Sequence, residues 1–131
     1  MELAFRAVLL AWLVADPQLS GNLNAIVEEA PSRTALPWLA LTASASIDWS
    51  HKTGKGREIR VALELNYRGD DPLSESALLG AVERRIESLP SDQTAAGFTI
   101  ASLRFLKARA EQRGDARRAL VLEYVARVLA V

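Results

Sequence analysis

The chain has 131 residues, half of them hydrophobic, and its 16 basic and 16 acidic side chains cancel to a net charge of zero. This length and apolar content predict one folded domain spanning residues 1–131, and the absence of net charge excludes a strong overall attraction to nucleic acid or to an anionic membrane. Because the chain has no cysteine, it has no disulfide framework, no thiolate nucleophile and no cysteine-bound zinc.

Residues 3–15 are the first predicted element. Apolar side chains recur at helical spacing at Leu3, Ala7, Leu10 and Val14, and the stripe is widened by Phe5, Val8, Leu9, Trp12 and Leu13. Glu2 and Arg6 are expected to face water. The segment is shorter than the roughly 20 residues that span a bilayer. We therefore expect an amphipathic helix that packs on a sheet, not a signal peptide or an anchor, followed by a short strand at residues 25–27.

Residues 38–68 are predicted to form a long antiparallel hairpin that turns at His51–Gly56. In the second arm, alternation places Ile59, Val61, Leu63, Leu65 and Tyr67 on one face. In the first arm, the core face is expected to carry Leu39, Leu41, Ala43, Ala45, Ile47 and Trp49. Trp38 then falls on the opposite face, where it is either exposed for an interface or buried by an edge loop.

A second helix is predicted after the hairpin. Asp71 as N-cap and Pro72 at the first helical position indicate its start, and Leu89-Pro90 indicates its end. Its apolar positions share one face: Ala77, Leu78, Ala81, Val82, Ile86 and Leu89. Arg84 and Arg85 lie on the outer face, where we expect pairs with Glu87 and Glu83 or bridges to another subunit.

Residues 98–128 allow two interpretations. Ile100, Leu103, Leu106 and Ala110 sit at helical spacing, which allows a helical hairpin about Gly114-Asp115. Phe98-Thr99-Ile100 and the valines at 121, 125 and 128 favour two strands that turn at residues 111–115. The pattern favours strands and leaves the helical alternative open. The fold class expected overall is α+β, with an N-terminal helix and one central helix packed on a mostly antiparallel sheet with two long hairpins.

Candidate chemistry is sparse. The segment Thr53-Gly54-Lys55-Gly56-Arg57 lacks the spacing of a phosphate-binding loop and joins two strands, so it is interpreted as a hairpin turn. His51 is the only histidine, which is too little for a histidine metal site or a serine triad. The adjacent acidic pairs at 28–29 and 70–71 have no partner at metal or glycosidase spacing. We therefore predict no catalytic residue, no metal and no cofactor.

The order of the elements resembles a known family. The segments that carry the resemblance are Ala30-Pro31 through Leu36-Pro37-Trp38-Leu39-Ala40-Leu41, the strand from Arg60 to Tyr67 with the helix after it, and the closing segments Phe105-Leu106 and Tyr124-Val125-Ala126-Arg127-Val128. They are similar to the tail terminator, or tail completion, proteins of long-tailed bacteriophages and gene transfer agents. The resemblance covers nearly the whole chain and implies strands in residues 98–128.

The resemblance also implies a function without catalysis. Such a protein forms a ring, typically of six copies, that ends the tail tube and joins it to the head completion, or neck, proteins. The protein would be made in the bacterial cytoplasm and would lie at the tail–neck junction of a virion or gene transfer agent particle. DNA would be a partner only as cargo passing through the lumen, and no membrane would be involved.

From this resemblance we expect contact surfaces in place of an active site. The axial contacts to tube or head proteins are predicted at the two hairpin tips: His51, Lys52, Lys55, Arg57, Glu111, Arg113, Asp115 and Arg117. The lateral contacts between subunits are predicted on the hairpin edges and the second helix: Trp38, Arg84 and Arg85.

Two other functions stay open on the sequence. One is a small-molecule-binding α+β domain with a pocket lined by Trp12, Trp49, Tyr67 and Phe105. The other is a nucleic-acid-binding module that uses the basic residues Lys52, Lys55, Arg57, Arg113, Arg117 and Arg118. No aromatic side chains interleave with Lys52, Lys55 and Arg57 to stack on nucleic-acid bases.

Overall fold

The computed structural model describes residues 1–131. The helices are α1 (Glu2–Val14), α2 (Pro17–Ser20) and α3 (Ser76–Glu87), and the strands are β1 (Ala25–Glu28), β2 (Trp38–Asp48), β3 (Gly56–Arg68), β4 (Asp92–Gln93), β5 (Phe98–Gln112) and β6 (Arg117–Ala130). A short 3₁₀ turn at Thr94–Ala96 follows β4. The strands form one six-stranded sheet in the order β1-β2-β3-β6-β5-β4. Only β1 and β2 pair in parallel, so the predicted α+β class with a mostly antiparallel sheet is confirmed.

The last third of the chain forms strands, not the helical hairpin that the spacing allowed. β5 and β6 pair from Phe98↔Ala130 to Gln112↔Arg118. The faces of β6 are those expected from alternation: Leu122 and Tyr124 are fully buried on the helix side, whereas Glu123 lies on the other side in an ion pair. The second hairpin is therefore confirmed. Neither the two-residue strand β4 nor the 3₁₀ turn was predicted.

β2 departs from the predicted alternation because a bulge interrupts it. The register with β3 shifts by one residue at Thr42. Beyond the bulge, Ser44 faces α1, whereas Ile47 lies on the opposite face with 64% of its side chain exposed. One extra residue moves every later side chain to the other face. The prediction of a continued core face is therefore wrong for Ala43, Ala45, Ile47 and Trp49.

α1 is present as predicted, but only one side of its predicted apolar stripe is buried. Phe5, Leu9 and Leu13 point into the core with no exposed surface. Leu3 and Val14, which the helical spacing placed in the core stripe, are 77% and 47% exposed. The sequence did not distinguish these faces, because apolar residues occur on nearly every side of the helix.

The polar residues of α1, which were expected to face water, are only partly exposed and also bind the sheet. Glu2 accepts hydrogen bonds from the hydroxyls of Ser44 at 2.7 Å and Ser46 at 2.6 Å. Arg6 donates to Ser44 at 2.8 Å and pairs with Glu28 at 3.4 Å. The hydrogen bonds from Ser46 and Ser44 lower the pKa of Glu2. Because the bulge turns the two serines toward α1, the helix meets them with its polar groups.

α3 begins later than the capping signal indicated. Asp71 caps a turn, since its carboxylate accepts a hydrogen bond from the backbone N–H of Leu73 at 3.0 Å and its carbonyl accepts one from Ser74 at 3.1 Å. The helix itself starts at Ser76 and ends at Glu87. The predicted start at Asp71-Pro72 is therefore wrong, because the local turn satisfies the same polar groups that a helical first turn would use.

The core lies between the helices and one face of the sheet. The face of β3 predicted from alternation is buried in full, and it packs with α1, α3 and β6 in one cluster. The large side chains at its centre are Phe5, Leu9, Leu63, Leu65, Ile86, Phe98 and Tyr124. The opposite face of the sheet carries charged pairs such as Glu58 with Arg127, at 3.1 Å.

Candidate assembly surfaces

The two hairpin tips lie at opposite ends of the sheet. The central β3–β6 ladder runs from Gly56↔Leu129 at one end to Arg68↔Arg117 at the other. At about 3.3 Å per residue this ladder is about 40 Å long. The first tip directly precedes Gly56, and the second directly precedes Arg117. The structure therefore separates the two predicted contact tips by the length of the molecule, which suits them to two different neighbours.

The first tip, residues 49–55, is a compact turn. The backbones of His51 and Gly54 form a bridge, with N···O distances of 2.8 and 3.2 Å. The rings of Trp49 and His51 meet edge to face with their centroids 4.5 Å apart. Gly56 closes the turn, where a Cβ would lie 2.5 Å from the carbonyl oxygen of Trp49. The segment is a hairpin turn between two strands, as predicted.

The basic side chains of the first tip are free to contact a partner. Lys52 and Lys55 are exposed, and neither forms an ion pair within the chain. Arg57 is also exposed and donates a hydrogen bond to the hydroxyl of Ser46 at 2.9 Å. Lys52 and Lys55 therefore carry positive charge at this end that no ion pair within the chain holds.

The second tip, residues 113–116, turns through left-handed backbone at Gly114, Asp115 and Ala116, with φ of 73°, 50° and 58°. The guanidinium of Arg68 holds the turn by donating to the carbonyl oxygen of Asp115 at 2.6 Å. A backbone hydrogen bond from Arg113 to the carbonyl of Arg117, 2.8 Å long, closes it. The tip is thus tied to the end of β3.

The charges of the second tip are largely paired with one another. Arg113 folds back across the sheet to Glu64 and also pairs with Glu111 at 2.7 Å. Glu111 accepts a further hydrogen bond from Arg109 at 2.7 Å, and these two guanidinium groups, Arg113 first, lower the pKa of its carboxyl group. Unlike the first tip, this end carries a balanced network, with Asp115 and Arg117 exposed beside it.

The three residues predicted for lateral contacts differ in their exposure and in their contacts within the chain. Trp38 is only 6% exposed, so of the two alternatives for its side chain the structure shows burial. Arg84 is exposed on α3 and makes no ion pair. Arg85 does not pair with Glu83 or Glu87, which corrects the expectation for the outer face of the helix.

Arg85 instead joins α3 to α1. Its guanidinium carbon lies 3.4 Å from the centre of the Trp12 ring, and its Nε donates to the Trp12 carbonyl oxygen at 2.8 Å. The indole N–H of Trp12 donates in return to the Arg85 carbonyl oxygen at 2.8 Å. This reciprocal contact fixes the two helices against each other.

An apolar surface on the outer side of α1 was not predicted as a functional site. Leu10 and Val14 lie there, next to Ile26 and Val27 of the edge strand β1. The signal was present in the sequence as the stripe at helical spacing, which was assigned to the core. Because Phe5, Leu9 and Leu13 fill the core, this second stripe stays outside it.

The two alternative sites do not form. The proposed pocket residues lie in different parts of the fold: Trp12 between the helices, Trp49 at the first tip, Tyr67 in the core and Phe105 on the exposed part of β5. The two basic groups proposed for nucleic acid lie at opposite ends of the β3–β6 ladder, and Arg118 is bound to the carbonyls of Gly69 and Asp70. Neither set of residues therefore forms one continuous surface.

None of the helices has the length and apolar character required to cross a membrane. No cluster of three or more histidine, cysteine or acidic side chains is placed to hold a metal ion.

Comparison with known proteins identifies relatives of the chain. The family model described as Tail completion protein gp17 matches residues 7–129. Among solved structures, the chain is similar to a protein of the native gene transfer agent (GTA) particle virion, with a TM-score of 0.68 and 20% sequence identity over 95% of this chain and 94% of that chain. At this identity the likeness shows a shared fold. Among curated proteins, no sequence matches significantly.

Proposed function

The chain belongs to the tail completion protein gp17 family, since that model matches residues 7–129, and from this premise we propose that it forms a ring that ends a tail tube and joins it to the neck. Membership makes it a structural component of a phage-type tail. The ring and the junction are the proposal. The shared fold with a protein of a gene transfer agent virion supports such a particle as its location. In this proposal the protein acts through surfaces and has no catalytic step.

The observation that carries the proposal is the position of the two tips. A ring that joins a tube to a neck needs a separate contact surface at each end of its axis. The β3–β6 ladder supplies this by presenting the first tip at one end and the second at the other. The ends also differ in charge, because Lys52 and Lys55 are unpaired whereas Glu111 and Arg113 neutralise each other. We assign one tip to the tail tube protein and the other to the head completion protein.

The copy number proposed is six, with residues 1–131 acting as one domain in each subunit. A closed ring of one protein uses two different patches, one on each side of the subunit. The lateral roles of Trp38, Arg84 and Arg85 stay predictions, and of the three only Arg84 is exposed. Zero net charge is compatible with a lumen through which DNA passes without tight binding, because phosphate contacts need basic groups.

The test uses the purified chain, its tail tubes and its head completion protein. The variant Lys52→Glu/Lys55→Glu reverses the charge of the first tip, and Arg33→Glu, an exposed position in the loop before β2, is the control. We expect the double variant to keep the oligomer mass of the wild type but to lose binding to one of the two neighbours in electron micrographs. Binding to both neighbours at wild-type level would contradict the axial role of the first tip.

A further inference from the structure

One edge of the sheet carries an apolar groove. The groove lies between the outer side of α1 and β1, and it has a volume of about 520 Å³. Its lining consists of Ala7, Leu10, Ala11, Val14, Ile26, Val27 and Glu28. β1 is the last strand at this edge, so one side of its backbone has no partner strand. A single copy therefore leaves both an apolar lining and a row of backbone groups unoccupied.

The other edge of the sheet carries an apolar ridge. β4 pairs with Phe98 and Thr99, and the backbone N–H of Ile100 donates to Ser91, so the edge of β5 beyond Ile100 is free. A register shift between Phe105 and Lys107 makes Leu106 a bulged residue. Phe105 and Leu106 are 46% and 38% exposed. A long free strand edge with apolar side chains is a surface on which another chain can pair.

The two edges are also complementary in charge. Beside the ridge, Arg104, Lys107 and Arg109 are exposed on β5, where Lys107 also pairs with Glu123 at 3.5 Å and Arg109 with Glu111 at 2.7 Å. Beside the groove, Glu28 and Glu29 are exposed at the end of β1, where Glu28 also pairs with Arg6 at 3.4 Å. Contact between two like edges would place acid against acid or base against base, whereas contact between unlike edges places acid against base. Because the edges lie at opposite sides of one sheet, the ridge reaches a groove only on another copy.

We propose that the Phe105–Leu106 ridge of one copy docks into the α1–β1 groove of the next, with the basic side chains of β5 facing Glu28 and Glu29. This inference rests on the proposed ring and names its lateral contact. It uses one patch from each side of the subunit, which is the heterologous geometry that a closed ring requires. The strand β1 has four residues, so only about 13 Å of β5 pairs alongside it.

Cross-linking with a short bis-maleimide tests the contact, because the chain has no cysteine of its own. Val14→Cys labels the groove and Leu106→Cys labels the ridge. We expect the V14C/L106C chain to give a ladder of covalent multimers on denaturing gels. Each single variant alone should give none, and a mixture of the two should stop at the dimer. Ile47→Cys combined with L106C is the control, since Ile47 is exposed on the charged face of the sheet.

The results separate the contact from the ring. If native mass spectrometry shows a wild-type ring but V14C/L106C gives no ladder, or V14C alone cross-links, the contact is wrong and the ring stands. If the wild type is monomeric and the ladder is absent, both the contact and the ring are wrong.

A second measurement reverses the charges at the two edges. Glu28→Lys/Glu29→Lys should weaken self-association at least tenfold, and adding Lys107→Glu/Arg109→Glu should restore it. Unchanged association of the first variant, at unchanged thermal stability, also overturns the contact.

Discussion

Replacement of Gly56 by alanine is expected to destabilise the protein through one steric conflict. A Cβ at this position would lie 2.5 Å from the carbonyl oxygen of Trp49 and 2.9 Å from that of Val128. Both atoms belong to the backbone, one in the first tip and one in β6, so neither moves without disturbing the hairpin or the central ladder. We expect a loss of about 2–3 kcal/mol in the free energy of unfolding, the upper part of the usual range for overpacking, because both close atoms belong to the backbone.

Gly54 provides a matched control in the same turn. A Cβ there would meet no atom within 4 Å, and its backbone is not in the left-handed region. Gly54→Ala makes the same chemical change two residues away. It is expected to leave stability unchanged or to raise it by up to about 1 kcal/mol, because alanine has fewer unfolded conformations than glycine.

The assay is urea and thermal unfolding followed by circular dichroism, with all variants at one protein concentration because self-association adds to apparent stability. For a chain of this size, the expected loss corresponds to a fall in Tm of roughly 6–15 °C for Gly56→Ala. Equal stability of the two variants would refute the reasoning, since it would mean that the close approach at Gly56 does not constrain the hairpin.

Three further predictions follow from other contacts. In a double-mutant cycle of Arg85→Ala and Trp12→Leu, we expect a coupling free energy of about 0.5–2 kcal/mol. Additive effects would contradict the reciprocal contact by which these two residues join α1 to α3. Leu41→Ala should cost about 2–5 kcal/mol and Ile47→Ala under about 0.5, whereas equal costs would contradict the bulge in β2. The lowered pKa of Glu2 gives stability that is present above about pH 4.5 and lost as pH falls through the folded-state pKa. Alanine at both serines that bind Glu2 should flatten this dependence in acid unfolding curves, and an unchanged curve would contradict it.

Alternation predicted the strands well wherever both faces were chemically distinct. In β3, apolar Leu63 and Leu65 alternate with charged Glu64, so one face could only be the core. In the first half of β2, alternation also predicted the buried face correctly. In the second half, Ala43 and Ala45 are small and tolerate either face. The bulge at Thr42 therefore left no mark in the sequence, and the side chains beyond it were assigned to the wrong face.

The N-terminal helix shows a second limit of sequence patterns. Spacing identifies which residues share a face, but it does not say which of two apolar faces meets the core. Phe5 and Leu9 bury more surface than Leu3 and Ala7, and the serines of β2 bind the polar residues of the helix. These tertiary contacts decide which face of the helix meets the core. The tips were predictable because turns have a local signature, whereas the α1–β1 groove depends on a strand order that no local pattern contains.

The central claim is that the chain forms a closed ring at the end of a tail tube. Electron microscopy of the purified protein mixed with its tail tubes, together with native mass spectrometry, tests it most directly. We expect a species of six times the 14.3 kDa of one chain, seen as a ring that caps one end of the tube. A protein that stays monomeric at every concentration and leaves both tube ends uncapped would contradict it.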